Sequence, residues 1–194
     1  MEKEEVKRCG WVNQDPLYID YHDHEWGVPV YDDRKLFEYL NLEGAQAGLS
    51  WYTILKKREN YRAAFDQFEA EKIALYDEQK IEELIHNEGI VRNRLKINAV
   101  VTNAKAFLKV QEELGSFADY IWSFVDGKPV QHHFKDHSEV PASSEISDQM
   151  SKDLKKRGFK FVGSTICYAY MQATGMVNDH ITSCYCYKKT MSST

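Results

Sequence analysis

The sequence predicts an all-α protein. Apolar residues recur at three- and four-residue intervals along most of the chain, and the breakers are sparse, with 4 prolines and 10 scattered glycines among 194 residues. That length fits one domain, or two small lobes sharing one interior, and no linker divides it.

The elements follow in order. Leu36, Tyr39 and Leu40 form a helical stripe behind the acidic start Asp32 and Asp33, which suits the positive end of a helix, and Glu43 falls near that helix's end. Residues 60–68 read as a short helix, and Ile81, Leu84 and Ile85 as the apolar face of a third that stops near Asn87 and Gly89. From Arg92 onward, Ile97, Val100, Val101, Ala104 and Leu108 mark a long amphipathic helix reaching about Leu114, with Gly115 as its C-cap. Residues 125–143 hold Pro129, Pro141, the Asp126-Gly127 turn signal and three histidines, so a mobile loop with at most a short hairpin is expected. Ile146, Met150 and Leu154 predict a helix over 144–158 that closes on Lys155, Lys156 and Arg157, and a buried helix follows Gly163 and ends by Gly175.

Composition excludes several classes. With 43% hydrophobic and 28% charged residues the chain is neither disordered nor fibrous. The longest uncharged stretch, residues 161–178, carries Ser164, Thr165, Gln172 and Thr174 and falls short of the roughly 20 apolar residues of a membrane span. The start MEKEEVKR has no apolar segment behind it, so a cytoplasmic setting is expected and the four cysteines read as thiols rather than disulfides. A net charge of -5 argues against indiscriminate coating of nucleic acid, though it leaves room for local basic patches.

Three constellations could carry chemistry. His180 and Cys184, four apart, share a face if helical, and with Cys9 and His22 they make a Cys₂His₂ set suited to tetrahedral Zn²⁺. Four protein ligands leave no open position, so such a site is structural and ties the two ends of the chain together. Cys186 is an alternative to Cys184 but on a helix points away from His180; Cys167 reads as a core thiol, and His132, His133 and His137 as solvated loop residues rather than ligands. The segment Asn87-Glu88-Gly89-Ile90-Val91-Arg92 between two helices suggests a hairpin whose second helix binds a DNA phosphate, with Arg92, Arg94, Lys96, Lys105 and Lys109 as a basic face. Trp11, Tyr18, Tyr21, Trp26 and Trp51 surround the lone acid Glu43 in sequence, a combination that suits a flat cationic ring such as a flipped purine. Core filling is the competing reading for the aromatics, and surface exposure for Glu43.

The segments Cys9-Gly10-Trp11, Tyr21-His22-Asp23, Glu25-Trp26-Gly27, Leu42-Glu43-Gly44, Gln46 to Trp51, Leu55 to Glu59, Lys155 to Gly163 and Asn178-Asp179-His180 closely resemble the bacterial DNA-3-methyladenine glycosylase I family. The likeness runs from Cys9 to about Tyr187. It implies a helix-hairpin-helix glycosylase fold with the hairpin near 78–114 and one structural zinc on Cys9, His22, His180 and Cys184. Residues 9–187 would form a single catalytic domain, with 1–8 as an N-terminal extension longer than in close relatives and 188–194 as a tail.

The resemblance also implies roles. Tyr21 and Trp51 would hold the base with Trp11 and Tyr18 nearby, Glu43 would hydrogen-bond it, and Gly48 and Leu49 would fill the gap it leaves. Gly89, Ile90, Val91, Arg92 and Arg94 would face DNA. Like family members, the chain lacks an aspartate between Glu78 and Gly115, where the wider superfamily carries its catalytic one. Leu95 departs from relatives that have glycine after Arg94. The implied activity is monofunctional release of 3-methyladenine from double-stranded alkylated DNA, by a monomer acting at the chromosome without a membrane partner. A lesion-binding module without activity and a hydrolase using zinc catalytically are the competing readings.

Overall fold

A computed structural model describes residues 5–191; residues 1–4 of the expected extension and 192–194 of the expected tail lie outside the described residues. Helix α2 (Asp33–Ala45) is the hub. Asp32 caps it by accepting the Lys35 N–H at 3.0 Å, and from Leu36 to Ala45 every residue is buried. It packs against α3 (Trp51–Ala64), α6 (Arg94–Leu114), α7 (Phe117–Trp122) and α9 (Ser164–Ala173). A helix buried all round must find partners for its polar side chains. Asn41 donates to the Phe37 carbonyl at 2.9 Å and accepts from Asn103 at 3.1 Å, while Glu38 is paired with Arg62. Asp33 accepts from Gln111 and from the Phe117 and Ala118 N–H groups at 2.8–3.0 Å, so the start of α2 also caps α7.

Helix α6 buries Ile97, Val100, Val101, Ala104 and Phe107, as its spacing predicts, and ends at Gly115 with φ +89°. Asn93 caps its start, accepting the Lys96 N–H at 3.1 Å. Phe107 lies 4.8 Å from Phe37 and 4.9 Å from Phe117, centroid to centroid, which joins α6 to the hub and to α7. Each such ring contributes roughly 1.5–3 kcal/mol by burial. The short α4 (Ala70–Ile73) and α5 (Glu78–Ile85) pack on the same helix. Helix α8 (Glu145–Lys156), opened by a Ser144/Ser147 capping box, packs against α9.

The fold departs from the expectations in five places. Helix α1 (Pro16–His24) was not anticipated, although Asp15 accepts the Leu17 N–H at 3.0 Å and proline opens the first turn. The helix expected over 60–68 begins at Trp51 instead, capped by Ser50, and ends at Ala64; it buries only Ile54, Leu55, Tyr61 and Ala64, too thin a stripe to read. Residues 66–68 leave helical geometry, with φ between +51° and +57°. In the 125–143 segment no hairpin forms: β1 (Val130–Gln131) pairs in parallel with β2 (Val177–Asn178), Val130 opposite Val177. His180 and Cys184 are not on a helix, because the chain turns there, the Cys184 N–H donating to the Ile181 carbonyl at 2.9 Å. The last helix, α10 (Cys186–Met191), then takes up residues 188–191 of the expected tail.

The first and last thirds of the chain meet behind α9. Gly27 N–H donates to the Gln172 carbonyl and Val30 N–H to that of Thr174, at 3.1 and 2.9 Å. Gly175, at φ +76°, lies so close to the Val28 and Pro29 backbone that a Cβ there would approach it to under 3.0 Å, so only glycine fits. Among the described residues no helix is long and apolar enough to cross a membrane.

Candidate functional site

A cavity of about 180 Å³ opens between α1, the end of α2, the start of α3 and α9, lined by Trp11, Tyr18, Tyr21, Trp26, Glu43 and Trp51. For scale, an engineered apolar cavity of about 150 Å³ takes up benzene. The aromatic walls hold one another: Tyr21 to Trp51 is 5.4 Å between centroids, Trp11 to Tyr18 5.1 Å and Trp11 to Trp26 5.0 Å. Tyr18 stacks on Tyr52 at 5.0 Å, and the Tyr52 hydroxyl donates to Asp15, the cap of α1, so the slot is braced from the helix start outward.

Glu43 closes the slot. It is 3% exposed and its Oε2 has no hydrogen-bond partner, unlike Asn41 one half-turn earlier. Burial alone pushes its carboxyl up to about 8, so near neutrality the empty pocket holds mostly the protonated acid. The Trp51 indole Nε1–H is likewise buried without a partner. Two orphaned polar atoms in one aromatic cavity are costly unless something arrives to meet them. Burial also raises the Tyr21 phenol well above its usual range, with the nearby Glu43 adding to the effect, so Tyr21 is a neutral hydroxyl.

Gly48 and Leu49 stand at the lip, where a neighbouring cavity of about 220 Å³ shares Glu43 and Gln46 with the first. Gly48 has φ +78° and open space around it, and Leu49 is 43% exposed, unusual for a leucine. Lys96 of α6 steadies this lip: its Nζ donates to the Ala45 and Ala47 carbonyls at 3.0 and 2.5 Å, capping the end of α2. Lys96 is therefore turned inward rather than lying on a basic face.

The α5–α6 connection is more self-contained than the sequence suggests. Gly89 N–H donates to Asn87 Oδ1 at 2.8 Å, Ile90 N–H to the Asn87 carbonyl at 3.4 Å and Val91 N–H to the Tyr61 hydroxyl at 3.2 Å. Arg92 is exposed; Arg94 is exposed and paired with Glu82, a contact worth about 0–1 kcal/mol and so easily exchanged.

At the far side of Trp11 and Trp26 the two ends of the chain converge on a buried quartet. Cys9 Sγ lies 3.6 Å from His180 Nδ1, which lies 3.6 Å from Cys184 Sγ, which lies 3.5 Å from His22 Nε2; the four donor atoms fall within 4.8 Å of one another. Their other ring nitrogens are committed: His22 Nδ1 meets Asp23 at 2.8 Å and His180 Nε2 the Trp26 carbonyl at 2.9 Å. Arg8 grips Asp23 with two nitrogens at 2.9 Å, and the Lys7 carbonyl accepts the Tyr185 N–H, so residues 7 and 8 of the extension brace this cluster. Cys186 is also buried, but groups with His22 and Asp23 instead of completing the quartet, and Cys167 is a core thiol directed at the Val162 carbonyl. The quartet can hold a metal ion, and with four protein donors it has no vacancy for a reacting water.

Three polar cavity residues, and Ala169 beside them, are not marked as site residues by the sequence. Gln46 caps α2, Gln172 lies on α9, and His137, set aside as a solvated loop residue, stands at the cavity wall. Only for Gln172 was there a local signal, a polar side chain in an otherwise apolar run at i+3 from Ala169, which also lines the cavity.

A mainly helical protein with an aromatic slot closed by one unpartnered acid, and an apolar side chain at its lip, is built to receive a flat, donor-bearing ring. The sequence from residue 11 to 187 matches the methyladenine glycosylase family, and the chain belongs to that family. It is 56% identical to DNA-3-methyladenine glycosylase 1 of Escherichia coli K12 across 94% of this chain and 97% of that one. The Haemophilus influenzae DNA-3-methyladenine glycosylase is 51% identical across 92% and 97%. A crystal structure of a 3-methyladenine DNA glycosylase I superposes with a TM-score of 0.92 at 58% identity, covering 93% of this chain and all of that one. The Staphylococcus aureus 3-methyladenine DNA glycosylase I, solved to explain its recognition of 3-methyladenine, superposes at 0.90 with 42% identity over 92% and 95%.

Proposed function

We propose that this protein is a monofunctional DNA glycosylase that excises 3-methyladenine from alkylated double-stranded DNA and releases the free base. The unpartnered Glu43 carboxyl facing an aromatic slot carries the reading. Methylation at N3 leaves the adenine cationic, so its glycosidic bond is already weak. On bond cleavage the electron pair moves to the ring, a neutral base leaves, and water adds at C1′ and gives up a proton. The protein must therefore mainly extract, hold and charge-stabilise the nucleotide.

Each part of the site has a task in this scheme. The ring stacks on Trp51 with Tyr21 beside it, Trp11 and Tyr18 close its edge, and Glu43 accepts from the exocyclic amine. An arriving cation favours the ionised carboxylate, reversing the burial that holds the free acid near 8. Leu49, set outward by the turn at Gly48, fills the gap in the duplex, while Arg92, Arg94 and the start of α6 hold the phosphates of a helix-hairpin-helix contact, with Gly89, Ile90 and Val91 shaping the turn. Among the described residues no lysine lines the cavity, and Lys96 by the lip is bound to two carbonyls. With no amine to form a covalent adduct, the base is released without strand cutting.

The quartet fits a structural zinc. With Zn–S near 2.3 Å and Zn–N near 2.05 Å, a tetrahedral ion sets its sulfur and nitrogen ligands about 3.6 Å apart, against 3.5–3.6 Å here. Cys9, His22, His180 and Cys184 would hold it, and it would supply stability rather than chemistry. Residues 9–187 act as one catalytic domain, working as a monomer in the cytoplasm on chromosomal DNA.

The test is release of free base from methylated DNA, with 3-methyladenine and 7-methylguanine resolved, for the native protein and Glu43→Gln. Release of 3-methyladenine, weakened by the substitution, is the expected result. A folded, metal-loaded protein that released neither base would leave only lesion binding.

A further inference from the structure

The residue that precedes the metal ligand His180 has a separate occupation. Asp179 is 2% exposed, and its two oxygens take three hydrogen bonds: His132 Nδ1 at 2.6 Å on one, the Tyr168 hydroxyl at 2.6 Å and Gln172 Nε2 at 2.9 Å on the other. Gln172 is half-buried in the cavity wall, and among the described residues no hydrogen bond engages its Oε1. A carboxylate accepts and cannot donate, whereas an amide has one end of each kind. Beside Asp179 the amide has only one orientation, with its NH₂ toward the carboxylate and its oxygen left over for the cavity.

We propose that Asp179 is a positioning residue for base selection: it locks the Gln172 amide so that the pocket wall presents an acceptor. Together with Glu43 this gives the slot two acceptors and rejects bases that bring an acceptor to the same edge. A purine with an amine at position 6 meets such a wall, and one with an oxo group there sets oxygen against oxygen. The inference rests on the glycosylase reading and adds how that site tells 3-methyladenine from 3-methylguanine. Asn at 179 can donate as well as accept, which frees the amide to turn its NH₂ inward.

The experiment is single-turnover release of 3-methyladenine and 3-methylguanine from methylated DNA by the native protein, Asp179→Asn, Gln172→Met and the double variant, with metal content and melting temperature measured for each. One mismatched buried hydrogen bond shifts a ratio roughly tenfold. The amine-to-oxo release ratio should fall by about that factor in Asp179→Asn and in Gln172→Met. It should fall no further in the double variant, because Asp179 acts only through Gln172. General loss of stability would slow both bases alike and leave the ratio in place. An unchanged ratio in folded, metal-loaded Asp179→Asn overturns the proposal; if that variant does not fold, an unchanged ratio in Gln172→Met does so. Absence of release from the native protein would instead count against the glycosylase reading itself.

Discussion

The Cys/His quartet and the aromatic slot lie on opposite sides of Trp11 and Trp26, and they treat polar atoms in opposite ways. Around the quartet every imidazole nitrogen is matched: two face thiols, one a carboxylate that is itself gripped by an arginine, and one a carbonyl. In the slot Glu43 Oε2 and Trp51 Nε1 are left bare. A fully matched cluster resists change, and an unmatched one lowers the free energy of whatever completes it at the expense of the empty state. One region is assembled to stay as it is, the other to be finished by a ligand.

The strongest way to break this contrast is to remove the zinc proposed for the quartet. Stripping it, or making Cys9→Ala, should cost several kcal/mol, and at about 2–4 °C per kcal/mol for this size the melting temperature should fall by at least about 10 °C. Activity should decline only as unfolding sets in; loss of turnover at an unchanged melting temperature would show a catalytic ion instead.

Glu43→Gln should move stability and activity in opposite directions. The carboxyl's folded pKa, about 8, lies above its unfolded value near 4.5, so the native state pays a growing penalty as pH rises between the two. At pH 7 that gap of about 2.5 units is worth roughly 3 kcal/mol, and the glutamine variant should gain on that order in chemical denaturation, the gain fading toward pH 4.5. Release of 3-methyladenine should meanwhile drop about ten- to a hundredfold. In the native protein kcat/KM should rise with pH up to about 8 and then level, a limb that the variant lacks.

Smaller effects sharpen the comparison further. Asp23→Asn, which weakens the partner of His22, should reduce metal affinity about 10–100-fold in a competition titration while leaving the base ratio untouched. Leu49→Ala should leave the unfolding free energy within about 0.5 kcal/mol of native, since the side chain is exposed, yet slow base release from duplex more than from single strands.

How much of this was written in the sequence differs between the two regions as well. Helices α6 and α8 announce themselves because each buries one stripe against a neighbour, and residue spacing is enough to see it, whereas α2 and α9, buried on most sides, show through an acidic start and an uncharged run. The ligand types of the quartet could be picked out by chemistry, though not their local setting: His180 and Cys184 meet across a turn, and only distance in space makes them partners. The parallel β1–β2 pair was illegible because it joins residues 47 apart through two-residue strands with no alternation to read. His137 belongs to the slot by tertiary contact alone, and nothing near it in sequence says so, while Gln172 shows only as a polar side chain in an apolar run. The aromatic residues were visible as a set, but that Glu43 would be both buried and unpartnered depended on the helices packed around α2.

The quartet joins residues that lie 171 and 162 positions apart along the chain. Closing a loop that long costs about 5 kcal/mol of chain entropy, so the cluster cannot nucleate folding and assembles after the helices between have brought its halves together. On a ribosome Cys9 and His22 emerge first and wait for nearly the whole remaining chain. A polypeptide cut short before His180 lacks two of the four donors, so the zinc proposed for the quartet would be held only by a molecule made far enough to carry its own base pocket.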